Sequence, residues 1–257
     1  MVEIAICLAI IGIALVAIIG VLPIGINVQK DNREETVIDQ DASVFIENIR
    51  NGARGLDDLT NYVMVITNSW AYYVNGKVNT YGVNSYNYTN ARAFGTPAPA
   101  MALTNGANIV GLLSTPEYMN NRGAPISFLQ FTNGGGYSNY VTAYVRSLSG
   151  PAVEKPPQDN DIIRSDSFSY KMICQNVPVA VDTRSSAPYA YNQQLTANLR
   201  ELRLTFLWPL LQNGNTGNGR QTFRTSVGGQ LWYTNAYAMP YPNALYFFQP
   251  QSFAGAP

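Results

Sequence analysis

The chain contains no histidine. That absence removes Ser-His-Asp and Cys-His catalysis and every metal site that needs an imidazole. Cysteine is nearly absent too. Cys7 lies in an apolar N-terminal run and Cys174 far away in polar sequence, so the two belong to different phases and no internal disulfide is expected. Charge is scarce, with 12% of the 257 residues charged, about half the usual share. Lys+Arg and Asp+Glu balance at 16 each, so no basic excess invites nucleic acid. What fills the surface instead is Asn, Thr, Ser, Gly and an abundance of Tyr, 17 in all, a composition suited to an extracytoplasmic domain. The hydrophobic share of 46% is enough for a folded core.

The most telling presence is one long apolar run. Ile4 to Leu22 reads IAICLAIIGIALVAIIGVL without a single charge. At about 1.5 Å per residue this stretch approaches the roughly 30 Å hydrocarbon thickness of a bilayer. A buried core helix is seldom apolar on every face for so long. A cleaved secretory signal would carry a basic residue before the run and a small-residue cleavage site after it, and neither is present. A retained membrane anchor fits best. Glu3 directly abuts the run. It is either a carboxylate at headgroup level or a buried acid that needs a partner, since an acid at mid-membrane costs roughly 2.5–3.5 kcal/mol.

Val2 to Ala14, VEIAICLAIIGIA, resembles the N-terminus of type IV pilins and type II secretion pseudopilins. Glu3 falls on the glutamate of that family's opening motif, and Ala9 to Ile13 reproduces its Ala-Ile-Ile-Gly-Ile element. The likeness covers about the first 25 residues, with looser similarity along the helix that follows. The leader peptide and the Gly-Phe processing junction are not in this sequence. Met1 stands where the family has Leu, so the chain is read as starting about two residues inside the mature form. The resemblance implies a filament built from packed N-terminal helices, in which Glu3 neutralises the N-terminal amine of a neighbouring subunit. It also implies a prepilin peptidase as processing partner, and copies of itself or other pilin-like subunits as assembly partners. The implied location is a single pass of the inner membrane with the head in the periplasm, or an assembled filament outside it. Gly20, Pro23 and Gly25 are expected to weaken the helix, because proline removes a backbone donor and crowds the preceding turn.

Beyond Pro23 the pattern becomes amphipathic. Ile38, Ala42, Phe45, Ile49, Ala53, Leu56 and Val63 recur at helical spacings, with Arg33, Glu34, Glu35, Asp39, Asp41 and Glu47 largely between them as a solvated face. Asn51-Gly52 and Gly55 interrupt this pattern, so the helix is expected to end near Arg50 and resume at Asp57 or Asp58. Residues 75 to 106 read as loops and short strands. Strands are expected at Asn108–Leu113, Ile126–Thr132, Tyr137–Ser147, Phe168–Val181, Leu199–Trp208, Gln221–Val227 and Ala244–Gln249, with a Pro-rich connector over Gly150–Asp161. The alternation in Leu202, Leu204, Phe206, Trp208 and in Phe223, Thr225, Val227, across the Gly/Asn stretch Asn213–Gly219, reads as a β-hairpin. The expected fold class is α+β: a long N-terminal helix, half membrane-spanning and half amphipathic, packed on an antiparallel sheet. Its parts are a transmembrane or filament-core helix over 1–25, a helical stalk over 26–65 and a β-rich head over 66–257.

No catalytic, cofactor or metal site is nominated. NGNTGNGR at 213–220 lacks the Gly-Lys-Ser/Thr ending of a phosphate loop and lies between strands. Asp159, Asn160 and Asp161 offer oxygen ligands for calcium without the spacing of a calcium loop. Asn87-Tyr-Thr fits a glycosylation sequon short enough to arise by chance. Tyr72, Tyr73, Tyr81, Tyr86 and Tyr88 could form a binding patch or ordinary half-buried strand positions, the latter preferred. Glu117, Asp166 and Glu201 are the acids an enzyme would have to pair, and no spacing favours it. Two functions stand: a structural, non-enzymatic subunit of a pilin-like filament serving secretion, attachment or DNA uptake, and a signal-anchored module whose head binds a glycan or protein.

Overall fold

The computed structural model describes residues 2–52, 57–87, 99–103, 105–149, 168–179, 189–211, 213–234 and 244–254. The chain divides into two compact units, Met1–Gln40 and Asp41–Pro257.

Helix α1 runs over Val2–Arg50. In the first unit, Val2 to Arg33 are solvent-exposed wherever their side chains are described, while Val37 and Ile38 are buried. Lys30 pairs with Glu34 one turn on, at 3.7 Å. The helix ends as the sequence expects. Asn51 and Gly52 turn their amides back to Glu47 and Ile49, and Gly52 takes φ +66°. A Cβ at Gly52 would also run into the Phe248 carbonyl, so two independent constraints select glycine here. The helix does not resume; Asp57–Asn61 forms a single 3₁₀ turn, and Val63, placed by periodicity on the helical stripe, opens the first strand.

The second unit is built on one large sheet. Strands β1 (Val63–Val74) and β2 (Lys77–Asn87) form a hairpin across Asn75-Gly76, both with positive φ, the geometry that Asn-Gly supplies most readily. Strand β3 (Pro99–Ala102) runs parallel to β2. Beyond β1 come β5 (Gly136–Arg146), β6 (Ser169–Pro178), β7 (Leu199–Leu210) and β8 (Thr216–Gly228), all antiparallel, giving the order β3-β2-β1-β5-β6-β7-β8. The two-residue β4 (Tyr118–Met119) also pairs with β5. A separate ribbon joins β9 (Gln230–Tyr233) to β10 (Tyr246–Gln249).

Two expected strands are helices. Asn108–Leu113 lies in α2 (Gly106–Leu113), whose first turn is capped by Asn105 accepting from the Asn108 amide at 2.8 Å. Most of Ile126–Thr132 lies in α3 (Phe128–Gly134), started by a reciprocal capping box between Ser127 and Gln130. Short apolar runs do not declare their period, and the caps decided these two. Helix α4 (Tyr189–Asn198) precedes β7. The hairpin β7–β8 forms as expected, although its turn is tighter than Asn213–Gly219, because β8 already begins at Thr216.

One face of the sheet is the core. Tyr170, Met172, Cys174, Leu202, Leu204 and Phe206 are buried on it. The last turns of α1 bury Ala42, Phe45 and Ile49, and α2 buries Ile109, Val110, Leu112 and Leu113. Phe206 sits at the centre, with its ring 5.3 Å from Tyr170 and 5.5 Å from Phe223. Phe206→Ala is expected to cost about 3–5 kcal/mol through lost burial and the cavity it leaves. Urea unfolding followed by near-UV circular dichroism measures it, and a cost below roughly 1 kcal/mol would contradict this packing.

Candidate functional site

The candidate site is the apolar half of α1. Helix formation satisfies the backbone groups internally except at the ends and opposite Pro23, which meets the main condition for crossing hydrocarbon. This is a helix long and apolar enough to span a membrane, and none of its most apolar window is buried against the rest of the chain. Isoleucines 4, 13 and 19 are each more than 60% exposed, and they lie on different sides of the helix. Apolar surface all the way round must be covered by lipid or by other helices. Glu3 occupies the first turn, where a carboxylate also complements the positive end of the helix dipole.

Gly20, Pro23 and Gly25 lie within the helix, which is continuous through them. Pro23 has no amide hydrogen, so the Ile19 carbonyl has no bond from the residue four positions on. Gly12, Gly20 and Gly25 have open space where a side chain would project. Cys7 is exposed and Cys174 buried, both as free thiols. The Cys174 thiol donates to the Leu113 carbonyl at 2.9 Å, and burial pushes its pKa up, so it is chemically quiet.

In the head, the residues considered for chemistry fall apart. Glu117 accepts from the Tyr118 hydroxyl at 2.8 Å, and Glu201 is held by Arg203 through two bonds of 2.8 and 3.0 Å. The Arg203 guanidinium holds the Glu201 carboxyl below the usual range. Asp166 lies outside the described residues, as do Asp159, Asn160, Asp161 and Tyr88. No group of three His, Cys, Asp or Glu side chains among the described residues is placed to hold a metal. Asn87 of the sequon is buried, with its side-chain oxygen accepting from Ser85 Oγ at 3.0 Å, so the fold withholds it from a glycosyl donor. Among the described residues, the tyrosines do not share a patch. Tyr72 packs on Tyr137 at 4.9 Å, Tyr73 on Phe131 at 5.1 Å, Tyr86 is buried with its phenol pushed up to about 12, and Tyr81 stands in solvent.

The sequence reading also missed two buried groups. Asp41, assigned to the solvated helix face, is fully buried. Its carboxylate accepts from the Leu148 amide at 2.9 Å, Ser149 Oγ at 2.6 Å and the Tyr170 hydroxyl at 2.9 Å. Desolvation outweighs these bonds and raises its pKa above 3.8. The clue was in the spacing: Asp41 lies three residues after Ile38 and four before Phe45, on the apolar stripe itself. Arg200 is the second, donating to Asn176 Oδ1 at 2.6 Å and to the Asn176 carbonyl at 3.1 Å. Burial lowers its pKa to about 10.

Comparison with family models, with curated proteins and with solved structures gives no match to this chain.

Proposed function

We propose that the chain is a structural, non-enzymatic subunit of a pilin-like or pseudopilin-like filament in a bacterial envelope, working in secretion, attachment or DNA uptake. The observation that carries this reading is Glu3 in the first turn of a helix exposed on every side. Once buried within a bundle of such helices, an acid needs a positive partner, and the neighbour's N-terminal amine supplies one. Before assembly the helix anchors the chain in the inner membrane with the head in the periplasm. Afterwards the same apolar surface packs against copies of itself or related subunits.

Two measurements test this. The gene with its upstream codons is expressed with and without a prepilin peptidase, and mass spectrometry reads the N-terminus of the extracted protein. Peptidase-dependent cleavage just upstream of Met1, with methylation of the new amine, is the expected result. In the processed protein, Glu3→Ala is expected to lower the sedimentable filament fraction by about tenfold or more, in keeping with removing one member of a desolvated charge pair. An unprocessed N-terminus, together with a Glu3→Ala variant that behaves as the wild type, sinks the filament reading and leaves a tethered binding module.

A further inference from the structure

The face of the large sheet opposite the core carries an unbalanced charge. Side chains alternate along each strand, and the register Gln175–Arg203–Arg224 and Lys171–Leu207–Arg220 puts four cations on this one face. Arg220 and Arg224 on β8 stand in solvent, Arg224 with 66% of its side chain exposed. Two acids lie near them: Glu201, gripped at both oxygens by Arg203 and 3.9 Å from the Arg224 Nε, and Glu117, whose charge also acts on Arg203. Two carboxylates, Glu201 and Glu117, against Lys171, Arg203, Arg220 and Arg224 leave this part of the sheet at +2.

A surface of the opposite sign lies on α1. Outside the buried Asp41, the segment Lys30–Arg50 holds five acids and three bases. Asp31, Glu35 and Asp39 follow one another at intervals of four, so they form an exposed row along one side of the helix, about 6 Å per step. Neither surface can meet itself, because two copies of either would place like charges together. Each suits the other, and a contact between two different patches is heterologous: repeated head to tail from copy to copy, it gives a ring where the rotation closes and an open helical array where it does not.

We propose that the basic sheet face around Arg203, Arg220 and Arg224 docks on the acidic row Asp31–Glu35–Asp39 of a second copy of this chain. The inference rests on the filament reading and specifies one lateral contact within it. Because the charges are at the surface, the contact weakens as salt shortens the screening length, from roughly 30 Å at 0.01 M to about 8 Å at 0.15 M.

The test is charge exchange on the full-length, membrane-extracted protein, read as the fraction sedimenting as polymer. Arg220→Glu/Arg224→Glu and Glu35→Lys/Asp39→Lys are each expected to cut that fraction by about tenfold, and an equal mixture of the two to restore much of it. Arg220→Lys/Arg224→Lys should assemble as the wild type, which with an unchanged circular dichroism spectrum separates charge from misfolding. Wild-type polymer that neither reversal reduces overturns this contact and leaves the filament reading standing. A loss only in the arginine reversal, with the stalk reversal and the wild type alike, assigns the basic face to an acidic partner other than this chain and overturns the proposal. Two impaired variants that do not rescue one another overturn it as well. Wild-type protein that forms no polymer under any condition overturns the filament reading itself.

Discussion

Asp41→Ala is expected to lower the stability of the head by roughly 3–5 kcal/mol, among the largest effects of any single change in this chain. The substitution removes the acceptor for three groups at once, the Tyr170 hydroxyl, Ser149 Oγ and the Leu148 amide, in a place water does not reach. Asp41→Asn retains one acceptor oxygen but turns an NH₂ toward donors, so about 1–3 kcal/mol is expected. The two substitutions also differ from wild type in their response to pH. The folded-state pKa of Asp41 lies above its ordinary value of 3.8, with burial as the first cause. Between those two values the folded chain holds a proton that the unfolded chain has already released, so the Asp41 contribution to stability falls as pH rises. Urea unfolding from pH 3.5 upward should therefore show the wild-type advantage over Asp41→Asn shrinking with rising pH, then levelling off. An advantage that grows with pH would mean the carboxylate is stabilised in its charged form, contrary to the dominance of burial.

The second large effect concerns the apolar helix. Deleting Val2–Gln29 is expected to move the protein from the detergent-extractable membrane fraction to the aqueous one. Twelve Ile, Leu and Val residues lie between Ile4 and Leu22. At about 0.3–0.6 kcal/mol each, they favour insertion by roughly 4–7 kcal/mol. That is about a thousandfold or more in partition. The deletion leaves Val37, Ile38 and the buried residues from Asp41 onward in the chain. Carbonate extraction followed by immunoblotting reads the result. A deleted chain that still sediments with membranes would place the membrane affinity in the head.

Some of this was legible in the residues. The long apolar helix needs only composition, since no ordinary core wants an apolar surface on every side. The hairpin β7–β8 shows itself by alternation, because one face of that sheet is buried and the other wet. The hairpin β1–β2 was equally signalled by Asn75-Gly76 and went unread. Its strands mix aliphatic, aromatic and small polar residues, and Tyr81 and Val83 break the expected alternation by remaining exposed. In α2 six of the eight residues are buried, so its pattern has no period to read, and only the Asn105 cap separates it from a strand. Asp41 was misplaced because a charge was assumed to seek water, although its position in the stripe said otherwise. Glu3 was visible from its place beside the run. The partner proposed for it belongs to another chain, and a single chain carries no trace of such a contact.

The buried carboxylate at Asp41 also sets an order of events during synthesis. Its partners lie 107, 108 and 129 residues further along the chain. At about 5–20 residues per second, the ribosome needs roughly 6–26 s after making Asp41 to deliver Tyr170. Through that interval Asp41 remains hydrated, and Ala42, Phe45 and Ile49 beside it on the helix are uncovered. The last turns of α1 thus stay uncovered for seconds after synthesis, a window that closes when β6 arrives and in which a chaperone with affinity for amphipathic helices can hold them.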